Sequence, residues 1–328
     1  MEYFCGIDLG GTHIAAGIVN QKYKIVGRCA LPVQGKGDPM KIAHLMTTAV
    51  CSAARECHVD MGQIHSIGIG VPGAVCGEAK EIRLCNNLRL DGFPLKATME
   101  GLTGKKIYLE NDANVAVYGE MLAGAGVGMD NILMFTLGTG VGTGILKDGQ
   151  IFAGSRGMGA ELGHMVIEMD GYLCTCGRRG CFEAYASASG LIHICEDSMK
   201  NDLASSLWPV LKSEGKLDGK LIFHEADRGD QAACEAVLRY YRYLTAGIAN
   251  GIRVWDPDCV IIGGGISNRG QGLADELHKR LQKELGEQEE IPPVVIASLG
   301  NDAGIIGAAC LGKEENWYES IGGMRASG

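Results

Sequence analysis

Three cysteines and one histidine lie close together in the stretch ELGHMVIEMDGYLCTCGRRGCFE, residues 161–183. Cys174, Cys176 and Cys181 have C-x-C-x4-C spacing, and His164 lies ten residues before the first of them. Three thiolates and one imidazole make a closed tetrahedral ligand set of the kind that structural zinc sites use. The alternative is that these are ordinary buried or reactive thiols, but their clustering favours a zinc site.

Two carboxylates flank the same stretch. Glu161 lies three residues before His164, and Glu183 lies two residues after Cys181. A rigid metal site would hold both carboxylates and the outer face of the imidazole in fixed directions. Because carboxylates accept several hydroxyl donors at once, this arrangement predicts a binding site for a neutral, polyhydroxylated ligand.

Two glycine- and threonine-rich turns occur in a segment that is repeated along the chain. The first, D-L-G-G-T at 8–12, joins two predicted strands, and the segment 131–154 repeats the same strand, turn, strand pattern when Thr136 is set against Asp8. Such turns let backbone N–H groups approach an anion, although ordinary hairpins use them as well. The repeat favours two phosphate-binding turns and predicts two related domains.

Two further segments each allow a structural and a functional interpretation. Asn111 and Asp112 follow the predicted strand at 106–110 and precede a helix from about 113 to 122, so they could cap the helix or act at the strand's carboxyl end. The triple glycine at 263–265 follows a buried strand. It could admit a flat ring such as adenine or allow close packing of strand against helix.

Composition narrows the class of protein. The 328 residues carry a net charge of −9, with a pI near 5.4 and no basic runs, which argues against nucleic acid or an anionic membrane as the main partner. No stretch of about 18 apolar residues predicts a membrane span, and the amino terminus lacks a secretory signal pattern. Thirteen cysteines, scattered and odd in number, fit a reducing cytoplasm.

Hydrophobic periodicity and turn residues predict an alternating α/β chain. The predicted elements are three strands within 3–30, a helix from 38 to about 57, strands at 66–73, 106–110 and in PPVVIAS, and helices from 231 to about 254 and from 302 to about 311. Residues 190–228 are expected to be less regular, with a surface connection at 213–220.

Six motifs, taken together and in this order, resemble the ROK family of sugar kinases and sugar-responsive repressors, most closely its glucokinase-like members. They are GIDLGGT, ENDAN, LGTGVGTG, E-x-x-H at 161–164, CTCGRRGCFE and IIGGG, and they span nearly the whole chain. The resemblance implies an α/β, actin-like ATPase (ribonuclease H-like) fold with two related domains around a cleft. The expected domains are 1–120 plus about 302–328, and 121–301 with the zinc-binding loop.

The resemblance also implies roles for individual residues. Asp112 would be the general base that takes the proton from a hexose 6-hydroxyl as it attacks the γ-phosphate of ATP. The sugar would be bound by Asn87, Asn111, Asp112, Glu161, His164 and Glu183. Phosphates and Mg²⁺ would be held by Asp8, Gly10, Gly11, Thr12, Gly138, Thr139 and Gly140, and adenosine by Gly264 and Gly265. Structural Zn²⁺ would bind His164, Cys174, Cys176 and Cys181.

The resemblance further suggests a homodimer, and one departure stands in the first turn. At His13 many family members carry lysine, which could alter phosphate contacts. No predicted catalytic residue is lost through this difference.

Two other functions compete with the kinase. A repressor of the same family would carry a DNA-reading winged helix before the phosphate turn, which here begins at residue 6. An actin-like structural or chaperone ATPase would share the hairpins but would not need the zinc-type cluster with Glu161 and Glu183. Among hexoses, glucose is expected first, followed by N-acetylmannosamine, N-acetylglucosamine, mannose, allose and fructose.

Overall fold

The computed structural model describes residues 2–34, 37–77, 80–85 and 88–313. The chain separates into two compact units: unit 1 is Met1–Asp130, Gly144–Ala160 and Ser298–Gly328, and unit 2 is Asn131–Thr143 and Glu161–Ala297. The domain limits expected from the resemblance, 1–120 with about 302–328 and 121–301, stay predictions. Within the described ranges, no helix is long and apolar enough to cross a bilayer.

The first five-stranded sheet has the strand order β3-β2-β1-β4-β7. Its strands are β1 (Tyr3–Leu9), β2 (His13–Asn20), β3 (Ile25–Pro32), β4 (Ile64–Val71) and β7 (Lys106–Asn111). The first three are antiparallel neighbours, whereas β4 and β7 run parallel to β1. The carboxyl ends of β1, β4 and β7 therefore meet at one edge, where α/β sheets place their ligands.

The second five-stranded sheet has the corresponding order β10-β9-β8-β11-β12. Its strands are β8 (Ile132–Leu137), β9 (Val141–Lys147), β10 (Gln150–Ile151), β11 (Cys259–Gly263) and β12 (Val294–Ile296). Again the first three are an antiparallel meander, and the last two run parallel to its first strand. The shared order confirms the repeat predicted from the two glycine- and threonine-rich segments. A separate two-stranded ribbon pairs β5 (Ala74–Cys76) with β6 (Glu81–Arg83).

Three helices of unit 1, α1, α3 and α10, lie where the sequence predicts, whereas α2 was not predicted. They are α1 (Pro39–Glu56), α2 (Leu95–Thr103), α3 (Asp112–Ala123) and α10 (Asp302–Cys310). Asp38 caps α1 by accepting a hydrogen bond from the Lys41 N–H over 3.1 Å, and Pro39 occupies the first turn.

Small residues let α10 approach its neighbours in unit 1 closely. A methyl group added at Gly307 would lie 1.8 Å from the backbone oxygen of Val115 in α3, and one added at Gly6 would lie 1.9 Å from that of Ile305. Both positions accept only glycine without a backbone shift. The tight packing predicted for α10 is therefore present, and it holds the helix against α3 and β1.

Unit 2 contains more helix than the sequence predicts. Its helices are α4 (Glu183–Ala186), α5 (Ala188–Met199), α6 (Leu207–Glu214), α7 (Gly219–Asp227), α8 (Gln231–Trp255) and α9 (Gln271–Leu285). The expectation of a less regular segment at 190–228 is wrong, because α6 and α7 lie within it and most of α5 does as well. The long helix predicted from residue 231 is confirmed as α8, which buries Tyr240, Leu244 and Ile248.

Candidate functional site

The four predicted zinc ligands come together in unit 2. One candidate ligand atom from each of His164, Cys174, Cys176 and Cys181 lies within 4.8 Å of all the others. Cys176 Sγ is 3.6 Å from Cys181 Sγ, and Cys174 Sγ is 3.6 Å from His164 Nδ1. A tetrahedral site with metal–sulfur bonds of about 2.3 Å separates two of its sulfurs by roughly 3.8 Å. The donor set and its spacing therefore fit a zinc ion.

The loop that carries the cysteines is folded by its own backbone hydrogen bonds. The Cys174 N–H donates to the Arg178 oxygen over 2.8 Å, and the Gly177 N–H donates to the Cys174 oxygen over 3.0 Å. Gly180 has φ of +77°, and a methyl group there would lie 1.6 Å from the backbone oxygen of Glu168. Burial raises the pKa of the Cys174 thiol to about 12. A bound metal cation would stabilise the thiolate form.

Glu183 is held next to this cluster by hydrogen bonds to both of its carboxylate oxygens. Oε1 accepts from the Thr175 hydroxyl over 2.7 Å and from Cys174 Sγ over 3.4 Å. Oε2 accepts from the Val141 N–H over 3.1 Å, at the start of β9. The carboxylate thus connects the cysteine loop to the second glycine- and threonine-rich turn, and its position is fixed by the fold.

Glu161 precedes the residues of the zinc-type cluster in the sequence, whereas Glu183 follows them. It immediately precedes a single 3-10 turn, Leu162–His164, and the His164 N–H donates to the Glu161 oxygen over 3.0 Å. The residue as a whole is exposed, yet desolvation of its carboxyl raises its pKa; Glu183 adds to the rise and His164 opposes it. His164 directs Nδ1 toward the cysteines, which leaves Nε2 for a ligand outside the cluster.

The second glycine- and threonine-rich turn, Gly138 to Gly140, lies against the same residues of unit 2. The Gly138 N–H donates to the Gly140 oxygen over 3.0 Å, and the Gly138 oxygen accepts from the Ala188 N–H over 2.8 Å. A methyl group on Gly140 would lie 2.5 Å from Glu183 Oε2. Thr139 is exposed, and its backbone oxygen accepts from the Ser189 hydroxyl over 3.2 Å. Unit 2 therefore brings this turn, Glu161, His164 and Glu183 into one local group.

The triple glycine ends β11 in unit 2. Gly264 has φ of +81°, and a methyl group there would lie 2.5 Å from the backbone oxygen of Leu137. Close packing therefore accounts for glycine at this position. Gly265 faces open space, since a methyl group there would meet no described atom within 4 Å. The space in front of Gly265 is compatible with a flat ring.

The first glycine- and threonine-rich turn, in unit 1, follows β1. Its Gly10 N–H donates to the His13 oxygen over 2.9 Å, and His13 Nδ1 lies 3.0 Å from the Thr12 hydroxyl. Gly11 meets no described atom within 4 Å of an added methyl group, and Thr12 is exposed. Gly11 and the exposed Thr12 hydroxyl are thus open to a ligand, whereas the Gly10 N–H is used within the turn.

Asp8, near the end of β1, is half-buried. Desolvation by burial raises the pKa of its carboxyl, and within the described part of the chain the carboxylate has no ion-pair partner. Gly304 of α10 lies beside it, since a methyl group on Gly304 would be 3.2 Å from Asp8 Cγ. A carboxylate in this condition is suited to binding a cation.

Asn111 and Asp112 lie at the carboxyl end of β7 in unit 1, on the same sheet edge as Asp8. Asn111 caps α3, because its Oδ1 accepts from the Ala113 N–H over 2.9 Å and from the Asn114 N–H over 3.1 Å. Its Nδ2 donates to the Gly73 oxygen over 3.1 Å. Asp112 is the first residue of α3, is half-buried, and accepts from the Ala113 N–H over 2.8 Å through Oδ1. The structural interpretation is confirmed for Asn111, which caps α3, and the catalytic role of Asp112 stays a prediction.

One supporting residue was missed by sequence reasoning. Glu110 is buried, and its Oε1 accepts from the Asn111 N–H over 2.9 Å and from Asn114 Nδ2 over 3.0 Å. These bonds fix the turn from β7 into α3. A glutamate directly before Asn-Asp in an otherwise apolar strand was the available signal. Asn87, a predicted sugar ligand, lies outside the described residues.

Comparison with known proteins places these features in a family. A family model described as the ROK family matches residues 4–315. A glucokinase from Thermotoga maritima is 37% identical over 318 residues, which is 94% of this chain and 96% of that protein.

Solved structures show the same likeness over the whole fold. A ROK family glucokinase from Streptomyces griseus, crystallised with glucose and AMPPNP, is 33% identical with a TM-score of 0.80, over 94% of this chain and 98% of that one. A ROK hexokinase from Thermus thermophilus is 32% identical with a TM-score of 0.79, over 94% and 96%. The mixed α/β fold with its two repeated sheets is the actin-like ATPase fold of these structures.

Proposed function

This chain belongs to the ROK family as a sugar kinase, and from that premise we propose that it transfers the γ-phosphate of MgATP to the 6-hydroxyl of glucose. The observation that carries the proposal is the local group in unit 2, where Glu161, His164 and Glu183 lie beside the zinc-type cluster. The glucokinase and hexokinase names of its relatives support the choice of sugar.

Asp112 is the proposed general base. Phosphoryl transfer needs chiefly positioning and charge stabilisation, together with one carboxylate near the acceptor hydroxyl. The Ala113 N–H fixes Oδ1 of Asp112, and Glu110 fixes the preceding turn, so the carboxylate is oriented before substrate binds. Asp112 would take the proton of the 6-hydroxyl as its oxygen attacks phosphorus.

The sugar hydroxyls would be bound by groups that the fold already orients. Glu183 is fixed by Thr175 and Val141, and His164 has Nε2 directed away from the cysteines. The second N–H of the Asn111 amide is available after its bond to Gly73. Glu161 would accept from hydroxyl donors, and Asn87 completes the proposed set.

The phosphates of the nucleotide would be bound by the two glycine- and threonine-rich turns, with Asp8 holding Mg²⁺. In unit 1, Gly11 and Thr12 would offer backbone and hydroxyl donors, and Gly10 would line the phosphates. In unit 2, Gly138, Thr139 and Gly140 would line them. Gly264 and Gly265 would lie along the adenosine. Bound Mg²⁺ supplies positive charge that offsets the charge developing on the transferred phosphoryl group.

A structural zinc ion is the proposed occupant of the cysteine cluster. His164, Cys174, Cys176 and Cys181 would hold it, and the ion would supply a fixed corner next to Glu183 and Glu161. Its role would be positional, since a set of four protein ligands leaves no open coordination site for substrate.

The test is a coupled assay of ADP release with MgATP and separate hexoses. We expect glucose to give the highest kcat/KM, above N-acetylmannosamine, N-acetylglucosamine, mannose, allose and fructose. A higher value with an N-acetylated hexose would move the assignment to that kinase, and absence of sugar-stimulated release with every hexose would count against a kinase. Polyphosphate in place of ATP tests the donor.

Two further properties are proposed: a homodimer, which the resemblance suggests, and a cytoplasmic location, which the number and scatter of the cysteines favour. Sedimentation velocity of the full chain tests the first. A sugar-sensing regulator is the alternative function, and it would bind the sugar without turning over ATP.

A further inference from the structure

Unit 2 contains a cavity of about 470 Å³ that shares no residue with the proposed kinase site. Helices α8 and α9 form most of its wall, and the segment after His164 closes one side. Its lining residues are Ile167, Glu168, Arg239, Arg242, Tyr243, Thr245, Ala246, Arg280, Lys283 and Glu284. This volume lies within the range of small-molecule sites, roughly 300–1,000 Å³.

The cavity is rich in positive charge although the protein is acidic. Four cationic side chains line it against two carboxylates, while the whole chain carries a net charge of −9. Within the described ranges, Arg242 and Lys283 make no ion pair and are exposed. Unpaired cations gathered in an acidic protein favour an anionic ligand.

Two arginines of the wall are held in place by other side chains. Arg280 donates from Nε to Glu276 over 2.6 Å, and its guanidinium lies 5.0 Å from the centre of the Tyr241 ring. Arg239 is half-buried and interacts with the Tyr243 hydroxyl, which donates to Glu168 over 3.3 Å. Oriented guanidinium groups are suited to phosphate, which they bind through two parallel hydrogen bonds.

A buried hydroxyl in the same wall has no partner. Thr245 is 5% exposed, and its Oγ1 makes no hydrogen bond to any described residue. A threonine within a helix ordinarily bonds to a backbone oxygen one turn earlier, and an unpaired buried hydroxyl costs about 1–3 kcal/mol. Thr245 lines the cavity, so a ligand there would supply the missing partner.

We propose that this cavity is a binding site for a small phosphorylated organic anion, distinct from the nucleotide and sugar sites. Arg239, Arg242, Arg280 and Lys283 would bind the phosphate, and the hydroxyls of Thr245 and Tyr243 would bind the organic part. The N–H of Ile167, one of the lining residues, donates to the Gly180 oxygen over 2.8 Å. Gly180 adjoins Cys181, so one hydrogen bond connects the wall of the cavity to the loop of the zinc-type cluster.

The experiment is isothermal titration calorimetry of the full chain with glycerol 3-phosphate, ribose 5-phosphate and phosphoenolpyruvate as probes. Glycerol and inorganic phosphate are the reference ligands. We expect at least one phosphate ester to bind with a dissociation constant below about 1 mM, and glycerol not to bind. Binding should persist with saturating glucose and AMPPNP present. Loss of binding under those conditions would place the anion in the kinase site and overturn the proposal.

Variants assign the binding to the cavity. The double variant Arg242→Gln/Lys283→Gln should weaken ester binding at least about tenfold, as loss of charged contacts to phosphate does. Lys279→Gln is the matched control, because Lys279 is an exposed cation on α9 that does not line the cavity, and it should leave binding unchanged. Equal weakening in both, or in neither, would overturn the proposal.

Thr245→Val gives a second, independent readout. Valine keeps the shape of threonine without the unpaired hydroxyl, so we expect an unchanged or higher Tm together with ester binding weakened about threefold to tenfold. Inorganic phosphate that binds as tightly as every ester would refute recognition of an organic part. A change in the sedimentation coefficient of the Arg242→Gln/Lys283→Gln variant would assign this face to a subunit interface instead.

Discussion

Asp112 is the residue on which the proposed chemistry most depends. Asp112→Asn keeps the side-chain oxygen that bonds to the Ala113 N–H, so α3 should form normally. Because the amide cannot take a proton, we expect kcat to fall by at least about a hundredfold. Glucose binding, measured by calorimetry, should change little. Asp275→Asn on the exposed side of α9 is the control, and near-normal turnover of Asp112→Asn would leave only a structural role for Asp112.

Asp8 is proposed to be needed for activity, yet its charge is expected to lower the stability of the fold. Its carboxyl is desolvated without an ion pair among the described residues, and burial raises its pKa. Ionised Asp8 therefore destabilises the fold above its raised pKa, and this cost disappears as the pH falls through that pKa and the group protonates. Without Mg²⁺ and nucleotide at neutral pH, Asp8→Asn should raise the free energy of unfolding by about 0.5–2 kcal/mol.

The same variant should lose activity, because a neutral amide holds Mg²⁺ poorly. Chemical denaturation at several pH values measures the first effect, and the ADP-release assay measures the second. The gain in stability should vanish at acidic pH, where Asp8 of the parent protein is itself neutral. A gain that is the same at every pH would mean that the charge of Asp8 is not its cause.

At the scale of elements, Glu120 joins α3 to the point where the chain re-enters unit 1. It is fully buried, and its carboxylate accepts from the N–H groups of Ala125, Ser298 and Leu299 over 2.7, 3.1 and 2.8 Å. Glu120→Ala would leave these donors unpaired in the interior. We expect a loss of about 3 kcal/mol or more in the free energy of unfolding, measured by urea denaturation.

Glu120→Gln is the matched variant for this prediction. The glutamine keeps one acceptor oxygen, so its loss should be clearly smaller than that of Glu120→Ala. Equal losses for the two variants would show that side-chain volume, and not hydrogen bonding, is what α3 requires at this position.

The cysteine loop is the second element with a direct test. We expect one zinc ion per chain by plasma mass spectrometry, because the donor set and its spacing fit a tetrahedral site. Cys176→Ser should lose the metal, lower the Tm and raise the KM for sugar. Cys234→Ser changes an exposed cysteine outside the cluster and should do none of these. Active protein that contains no zinc would refute the site.

An element could be predicted from the sequence where its signal lies within a few neighbouring residues. Asp38 and Pro39 predict the start of α1, and the repeated glycine- and threonine-rich turns predict two sheets of the same topology. Residues 190–228 were expected to be less regular, but the structure contains helices there. Pro209 in fact lies in the first turn of α6, where proline is tolerated, and Gly215 with φ of +71° ends the same helix.

Features that depend on contacts between distant parts of the chain could not be predicted from the sequence. Glu120 accepts hydrogen bonds from Ser298 and Leu299, which lie 178 and 179 positions further along the chain. No sequence pattern near Glu120 predicts these partners. The cationic cavity likewise draws on α8 and α9, whose charges look like ordinary solvated faces in the sequence. The zinc-type cluster was predictable because its three cysteines are neighbours in sequence, and Glu183 follows directly.

At the scale of the whole molecule, ligand binding should appear as stability. Any ligand that binds only the native state stabilises it by RT ln(1 + [L]/Kd), which is about 2.7 kcal/mol at a hundredfold excess over Kd. For a chain of 328 residues this corresponds to a rise in Tm of a few degrees, seen by calorimetry. Because glucose is the proposed acceptor, it should reach this shift at a lower concentration than the other hexoses.

N-acetylglucosamine and N-acetylmannosamine are the informative competitors in that experiment. Both replace the 2-hydroxyl with a larger acetamido group, so a site shaped for glucose should exclude them or bind them weakly. Asp112→Asn should show the same order of sugars as the parent protein, since it binds without turnover. A larger shift with an acetamido sugar in both proteins would assign the acceptor to that class and leave the kinase mechanism intact.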